Sequence, residues 1–433
     1  MVPAKNGASP DDTALGDIRV LDLAGEIGQY CTKLLADLGA DVIKIEAPGG
    51  DPVRALPPYY NKHPDQSLYW LNLNTSKRSV TLDIEKPEGR ALFEKLVATA
   101  DIVVESFTPG FLDSVGLGYE GLAKMKPDII LTSITGFGQS GPHAKYKAPD
   151  IVGIAMGGVM WLAGEPIDPP NVLPWRQGYT SASIMGACGT LTALYHRDEK
   201  GEGQHVDVSM QEALSLAQET AMQSWDMIEL LRSRSGSRGV VPIDVPGIGI
   251  YACSDGHVFG YLGTPGGAPW TGMLEWMVEE NMAEDLNDPP YKEFIENLNL
   301  RFLTGLFANP AELPGHIKVM SHLVEVLRKF TATKSKWEMY EQGQHRRLLW
   351  GIVSTPEDIA KNPQLESRHW LTDVQQPTGE KLQYPGRPYY MSETPWAIHR
   401  RPPLVGEHNN EIFGKELGVT QDEWKKLEAI GAV

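Results

Sequence analysis

The first half of the chain alternates short apolar runs with longer amphipathic segments. Residues 18–23 and 42–45 are runs typical of buried strands, and between them residues 32–38 place leucines on one face of a helix that ends at Gly39. This unit has the length of a parallel β-α-β crossover. Strand-like runs continue at residues 79–83, 102–104, 129–133 and 206–209. The alternation predicts the α/β class, with a doubly wound sheet that binds ligands in the loops after its strands.

The pattern changes after residue 225. Strand-like runs at 249–253 and 256–261 predict a hairpin, and amphipathic helices follow to about residue 345. The proline-rich residues 377–403 predict an extended strap, and residues 421–430 a terminal helix. We therefore expect four parts: a disordered N-terminus (1–15), a large domain (16–225), a smaller α+β domain (226–350), and a strap with a C-terminal part that returns to the large domain (351–433).

Charge and cysteine content narrow the classes of partner. The formal net charge of −17 disfavours nucleic acids and anionic membranes as partners. The three cysteines lie far apart, which indicates neither a zinc site nor a disulfide framework and fits a reducing compartment. No apolar stretch has the length of a membrane span or the character of a secretion signal. These features predict a cytoplasmic protein without a metal site or a covalently bound cofactor.

Several sequence blocks, spread over nearly the whole chain, resemble one family. They are L-A-D-L-G-A-D-V-I-K-I-E at 35–46, N-T-S-K-R-S-V-T-L-D at 74–83, A-D-I-V-V-E-S-F-T-P-G at 100–110, S-I-T-G-F-G-Q-S-G-P at 133–142 and G-E-H-N-N-E-I at 406–412. Through these blocks the chain is identified as a member of the class III CoA-transferases, which include formyl-CoA and crotonobetainyl-CoA transferases. The resemblance implies a Rossmann-like large domain with a smaller inserted domain, and two chains that interlock like linked rings. It also implies a coenzyme A thioester and a carboxylic acid as substrates.

The resemblance further implies where CoA binds. The phosphates of CoA require cations and backbone N–H groups, and three loops supply the candidates. The candidate residues are Lys44, Arg54, Asn74, Lys77, Arg78, Phe107 and Thr108. Lys77 and Arg78 could instead be an ordinary solvated pair at the start of a strand. Ser114 stands where the family often has an arginine, so one phosphate partner is missing.

In this family an aspartate opens a D-x-x-x-G helix, attacks the thioester and forms a mixed anhydride. Residues 178–196 are rich in small side chains and predict that helix. Counting back from Arg197 places Tyr179 at the position of the aspartate and Ser183 at that of the glycine. A phenol with a pKa near 10 is protonated at neutral pH, so Tyr179 does not replace a carboxylate nucleophile.

Other active-site features of the family are also changed. The G-H-D triplet of the related racemases is Ala148-Pro149-Asp150, so a racemase is not indicated. Asp150 is a weak alternative nucleophile for which a structural role is favoured, and Glu165 and Asp168 are nearby spare carboxylates. The loop 25–30 is one residue shorter than the family pattern, whereas residues 264–269 keep the glycine-rich character of the loop that covers the intermediate.

We therefore expect no catalytic residue in this chain. Within the family it most resembles two-subunit enzymes that move CoA between succinyl-CoA and (R)-benzylsuccinate in anaerobic toluene degradation. That resemblance implies a paralogous partner subunit that carries the catalytic aspartate. Two alternatives stay open: an active homodimeric acyl-CoA transferase that uses another carboxylate, and a non-enzymatic CoA-binding protein.

Overall fold

The computed structural model of the chain describes residues 13–60, 67–238, 243–263, 268–309, 311 and 313–433. They form two compact units. The first contains the described residues of 1–159, 172–219 and 364–433, and the second those of 160–171 and 220–363. These limits differ from the predicted ones at 225 and 350, and residues 160–171 had been expected in the large domain. Arg234 explains that difference, because its guanidinium donates to the carbonyls of Trp161 and Glu165, at 3.0 and 3.3 Å.

The strands and helices are numbered in chain order. The strands are β1 (Arg19–Leu23), β2 (Asp41–Glu46), β3 (Arg78–Thr81), β4 (Ile102–Glu105), β5 (Ile130–Thr135), β6 (His205–Ser209), β7 (Ile248–Cys253), β8 (Gly256–Tyr261), β9 (Trp350–Ile352), β10 (Leu371–Gln375) and β11 (Lys381–Pro385). The α-helices are α1 (Gln29–Asp37), α2 (Leu68–Leu73), α3 (Pro87–Val97), α4 (Phe111–Ser114), α5 (Tyr119–Met125), α6 (Asp150–Met156), α7 (Val159–Leu162), α8 (Gln177–Lys200), α9 (Met210–Leu216), α10 (Ala221–Ile228), α11 (Thr271–Glu279), α12 (Tyr291–Asn297), α13 (Leu300–Ala308), α14 (Leu313–Ala332), α15 (Lys336–His345), α16 (Pro356–Ala360), α17 (Pro363–Ser367) and α18 (Gln421–Ala429).

The first unit is built on a parallel sheet, which confirms the predicted α/β class. Among the described residues six strands form it, in the order β3-β2-β1-β4-β5-β6. Strands β2 to β5 are buried almost throughout, because helices cover both faces, and this explains their continuous apolar runs. The strand order reverses between β1 and β4, the position at which sheets of this kind bind ligands.

Helix α8 is the small-residue helix predicted from the sequence, and it is 24 residues long. Its small side chains allow it to lie directly against the sheet. A Cβ atom added at Gly186 would lie 2.6 Å from the Cδ1 atom of Ile134 in β5. Close packing of α8 on β5 determines where the first turn of this helix, with Tyr179, is placed.

The C-terminal part of the chain lies on the first unit. The N–H of Ala397 donates to the carbonyl of Asp37 at 3.0 Å, and the N–H of Asp83 donates to the carbonyl of Ala432 at 2.8 Å. The predicted terminal helix is confirmed as α18. The proline-rich segment is less uniform than predicted, because β11 lies within it and pairs with β10 in an antiparallel hairpin. At the other terminus, the predicted disorder of residues 13–15 is wrong, since Leu15 is buried and donates to the carbonyl of Leu38.

The second unit contains the predicted hairpin, in which β7 pairs with β8 and β9 adds a third strand. Helices α11 to α15 pack around a core with large aromatic side chains, among them Trp270, Trp276 and Phe330. The ring centroids of Trp276 and Phe330 are 5.0 Å apart in an edge-on arrangement. In the part of the chain that the structure describes, no helix combines the length and apolar character needed to cross a membrane.

Candidate active site

The first turn of α8 borders a pocket of about 310 Å³ in the first unit. Tyr179 lies in this turn, and the opposite wall is formed by the loop after β1 and by helix α2. The side chains that matter most for its chemistry are Glu26, Tyr30, Tyr69, Arg176 and Tyr179. The structure therefore places Tyr179, the residue predicted to stand at the family's nucleophile position, beside a cavity large enough for one small ligand.

Asp150 supports the first turn of α8. Its Oδ1 atom accepts a hydrogen bond from the N–H of Tyr179 at 2.8 Å, and the residue as a whole is 5% exposed. Burial raises the pKa of Asp150, while its hydrogen bonds to the backbone of Tyr179 and Gly178 oppose that rise. A carboxylate engaged by the free N–H groups of a helix is a helix cap, which favours the structural role expected for Asp150.

Tyr179 is half-buried and protonated at neutral pH. Burial raises the pKa of its phenol above the ordinary value, and the nearby negative charge of Glu26 adds to the rise. One turn further along, Ser183 donates from Oγ to the carbonyl of Ile27 at 2.6 Å. The serine thus ties α8 to the loop after β1, which gives Ser183 a structural role in this chain.

Glu26 was missed by the sequence reasoning. Its Oε1 atom lies 2.7 Å from Nε of Arg176, yet this atom has no hydrogen bond within the described part of the chain. The contact is therefore an ion pair without hydrogen-bond geometry. Burial raises the pKa of Glu26, and the positive charge of Arg176 opposes the rise. An acidic residue in the loop after the first strand of such a sheet was the signal that could have found Glu26.

Two of the predicted CoA ligands, Lys44 and Lys77, belong to a buried network around Asp22. Lys77 donates to the Oδ2 atom of Asp22 at 2.9 Å, and Lys44 lies 3.8 Å from the Oδ1 atom. Asn74 accepts from Lys77 at 2.9 Å. All four side chains are at most 1% exposed. Burial lowers the pKa of Lys77 to about 8. In this conformation neither ammonium group has surface on which a phosphate could bind.

The two predicted arginines also have carboxylate partners within the chain. Arg54 forms a bidentate pair with Glu46, with both N···O distances at 2.7 Å, and stacks 3.6 Å above the Trp70 ring. Arg78 is the first residue of β3, and its Nη2 atom lies 2.6 Å from Oδ2 of Asp41, at the amino-terminal end of the sheet. It therefore lies at the end of its strand opposite to the loops expected to bind ligands. CoA contact by these residues stays a prediction.

A cavity of about 280 Å³ lies at the carboxyl ends of the strands, between the loops after β1 and β4. Phe107, a predicted CoA ligand, lines it and packs on Phe111 with ring centroids 4.5 Å apart. The charged residues in its lining are one lysine and four acids: Lys44, Glu46, Asp51, Asp83 and Glu85. The cavity lies where the strand order reverses, which is a common ligand site in such sheets. The net negative charge of its lining, however, disfavours an anionic ligand.

Thr108 lines a neighbouring cavity of about 410 Å³, on the other side of the same loop. Within it, the Oγ atom of Ser133 lies 2.9 Å from Nε2 of His205. Burial raises the pKa of Glu105, which also faces Ser133, to about 7. Of the predicted covering loop at 264–269, residues 264–267 lie outside the described residues. Within the described ranges, no group of three or more His, Cys, Asp or Glu side chains could hold a metal ion.

Comparison with known proteins relates this fold to transferases of CoA. The family model described as CoA-transferase family III matches residues 15–409. Subunit BbsE of the succinyl-CoA:(R)-benzylsuccinate CoA-transferase of Thauera aromatica is 34% identical, over 96% of this chain and 97% of its own length. The succinyl-CoA–D-citramalate CoA-transferase of Chloroflexus aurantiacus is 31% identical, over 96% of this chain and 97% of that protein.

A formyl-CoA:oxalate CoA-transferase of Streptomyces coelicolor is 30% identical over 97% of this chain and 99% of its own. Among solved structures, a CAIB/BAIF family protein from Brucella suis superposes with a TM-score of 0.77 at 26% identity, covering 93% of this chain and 99% of that one. The parallel sheet, the placement of Tyr179 in the first turn of α8, and the match over nearly the whole chain agree with the sequence blocks. The chain therefore belongs to the class III CoA-transferases.

Proposed function

We propose that this chain is the non-catalytic subunit of a class III CoA-transferase that moves CoA between succinyl-CoA and a carboxylic acid. In this proposal a paralogous partner subunit carries the catalytic aspartate and interlocks with this chain. Similarity to subunit BbsE supports a two-subunit enzyme and favours (R)-benzylsuccinate, an acid of anaerobic toluene degradation, as the acceptor.

The observation that carries the proposal is the chemistry at Tyr179. Transfer through a mixed anhydride requires an ionised carboxylate within reach of the thioester carbonyl. The first turn of α8 instead presents a phenol whose pKa burial raises further. The nearby carboxylate of Asp150 is engaged by the backbone of that turn, 2.8 Å from the N of Tyr179. The position that would hold the nucleophile therefore holds a group that stays protonated.

The strand-end cavity supports the same conclusion. CoA brings a 3′-phosphate and a diphosphate, which need cations or free N–H groups. Lys44 is the one lysine or arginine among the described residues of that lining, and it already pairs with Asp51 at 3.0 Å. A cavity with this charge binds CoA weakly at best, which suits a subunit whose partner carries out the chemistry.

A second candidate function rests on Glu26. Its carboxylate lies in the pocket of Tyr179 and has one oxygen without a hydrogen bond among the described residues. In an active homodimeric transferase, this oxygen would attack the succinyl thioester, break the C–S bond and form a glutamyl-succinyl anhydride. The released CoA thiolate would then attack the glutamyl carbonyl and release succinate. The acceptor acid would take up CoA by the same two steps in reverse.

Trapping the acyl intermediate separates the two candidates. The two-subunit complex is incubated with succinyl-CoA and quenched with hydroxylamine, which converts activated carboxyl groups into hydroxamates that peptide mass spectrometry locates. We expect a hydroxamate on the partner chain and none on this one. A hydroxamate on Glu26 that is absent from Glu26→Gln would overturn the proposal and establish the second candidate.

A further inference from the structure

Arg176 lines the pocket beside Tyr179, and its two terminal nitrogens have no hydrogen bond in the described part of the chain. We propose that this pocket binds, without reacting, a dicarboxylic acid with a flat apolar substituent, and that the terminal nitrogens of Arg176 hold its free carboxylate. The inference rests on the proposed function, because the ligand is the kind of acid which that function requires. It assigns a binding residue that lies outside the sequence blocks of the family resemblance.

The geometry of Arg176 leaves one edge of its guanidinium free. Nε lies 2.7 Å from Glu26, whereas the two terminal nitrogens have no hydrogen-bond partner in the described part of the chain. The guanidinium carbon lies 5.5 Å from the ring centroid of Tyr69 and 5.7 Å from that of Tyr179. Two aromatic rings therefore help to orient a planar cation whose open edge matches a carboxylate.

The other residues that line the pocket determine which substituent the ligand can carry besides its carboxylate. Arg176 is the only lysine or arginine among the described residues of the pocket wall. Most of the wall is apolar or aromatic, with contributions from Tyr30, Leu68, Leu73 and Trp175. Flat aromatic faces favour a flat apolar group by stacking or edge contacts. A volume of about 310 Å³ suits a ligand of that size, and it is too small for the whole of CoA.

The proposed function explains why the ligand has two carboxyl groups. An acid that carries CoA on one carboxyl group can reach Arg176 only through a second, free one. A monocarboxylic acid would lose its charge on thioester formation and leave the fork empty. The charge on Arg176 therefore favours acids that remain anionic after CoA has been attached.

Binding of the ligand carboxylate to Arg176 should change the protonation state of Glu26. A ligand carboxylate on Arg176 comes close to Glu26, and the two negative charges repel each other. Three charged groups act on Glu26: Arg176 directly before α8, Asp150 on α6 and Asp51 after β2. The neutral phenol of Tyr179 on α8 lies nearby. Burial already favours the neutral form of Glu26. We expect the carboxyl group to take up a proton when the ligand binds.

The test is equilibrium binding of free acids to the full chain by titration calorimetry. The probes are benzylsuccinate, succinate and 3-phenylpropanoate. We expect benzylsuccinate and 3-phenylpropanoate, which both carry a flat apolar group and a carboxylate for the fork, to bind at least tenfold more tightly than succinate. Arg176→Gln should weaken its binding tenfold or more, and Arg176→Lys, which keeps the charge but loses the fork, by a smaller factor. Arg368→Gln, an exposed arginine of the same unit, is the matched control.

Proton uptake provides a readout that a purely structural role would not change. The binding heat measured in buffers with different ionisation enthalpies should show a proton taken up by the wild-type chain and none by Glu26→Gln. Equal binding of all three acids, no detectable binding of benzylsuccinate, or unchanged binding by Arg176→Gln would overturn the inference. The experiment measures binding of free acids, so a negative result would overturn this inference and say nothing about CoA transfer by the complex. CoA transfer by the chain without a partner would instead overturn the proposed function.

Discussion

Asp22 is the residue on which the charged interior of the first unit depends. It is fully buried and contacts both Lys77 and the hydroxyl of Thr32, which donates to Oδ2 at 2.7 Å. Buried charges are tolerated only when paired, so the lysines and Asp22 must be considered together. In the described conformation Asp22 pairs with Lys77, and Asp22 and Asp51 together pair with Lys44, so carboxylates rather than a phosphate neutralise the two lysines.

Removing the charge of Asp22 should therefore destabilise the protein strongly. Asp22→Asn leaves Lys77 and Lys44 with one carboxylate fewer in a buried site, and we expect a loss of about 3–5 kcal/mol in the free energy of unfolding. Urea denaturation measures it. Asp17→Asn, at an exposed position, is the control and should stay within about 0.5 kcal/mol of the wild type. A loss for Asp22→Asn no larger than that of the control would show that the network contributes little.

Residue types alone did not reveal this network. Lys77 lies 55 positions from Asp22 in the sequence, and only the pairing of β1 with β2 and of β2 with β3 brings them together. A lysine at a strand start is usually solvated, so the sequence favoured either solvent or a phosphate for Lys77. Tyr179, by contrast, could be located in advance because the sequence preserves its spacing from Arg197.

At the scale of elements, the loops at the carboxyl ends of the strands determine what the chain can bind. The loops after β1, β2, β3 and β4 surround the cavity of about 280 Å³. The bounds of those strands were predicted to within one or two residues, because a sheet covered on both faces produces continuous apolar runs. The hairpin of β10 and β11 was missed, since the prolines that flank its second strand argue against a strand.

The charge of the cavity lining can be tested directly. Glu85 is exposed at its rim, and Glu85→Lys replaces one of four carboxylates with a cation. We expect CoA affinity to rise about three- to tenfold at low salt, with the gain shrinking as salt screens the charges. Titration calorimetry with CoA measures it.

Glu94→Lys makes the same change of charge at an exposed position of α3 outside the cavity, and it serves as the control. If both variants bind CoA equally well, net charge and not the cavity lining controls the affinity, and CoA binds elsewhere or not at all in this chain.

At the scale of the whole molecule, the chain keeps the fold of its family, and we propose that it lacks the chemistry of the family's active site. The six-stranded sheet of the described residues, and the C-terminal part that lies on the first unit, keep the architecture of a CoA-transferase. Around the first turn of α8, the backbone N–H of Tyr179 donates to Asp150, and the hydroxyl of Ser183 donates to the carbonyl of Ile27. In the proposed function, this chain contributes a scaffold and a binding pocket, and a partner subunit carries out the transfer of CoA.

The most direct test of this account is the rate of CoA transfer from succinyl-CoA to (R)-benzylsuccinate by the purified chain, measured with and without a paralogous partner that carries the aspartate. We predict no transfer above background by the chain alone and full activity after the partner is added. Turnover by the chain alone would contradict the account.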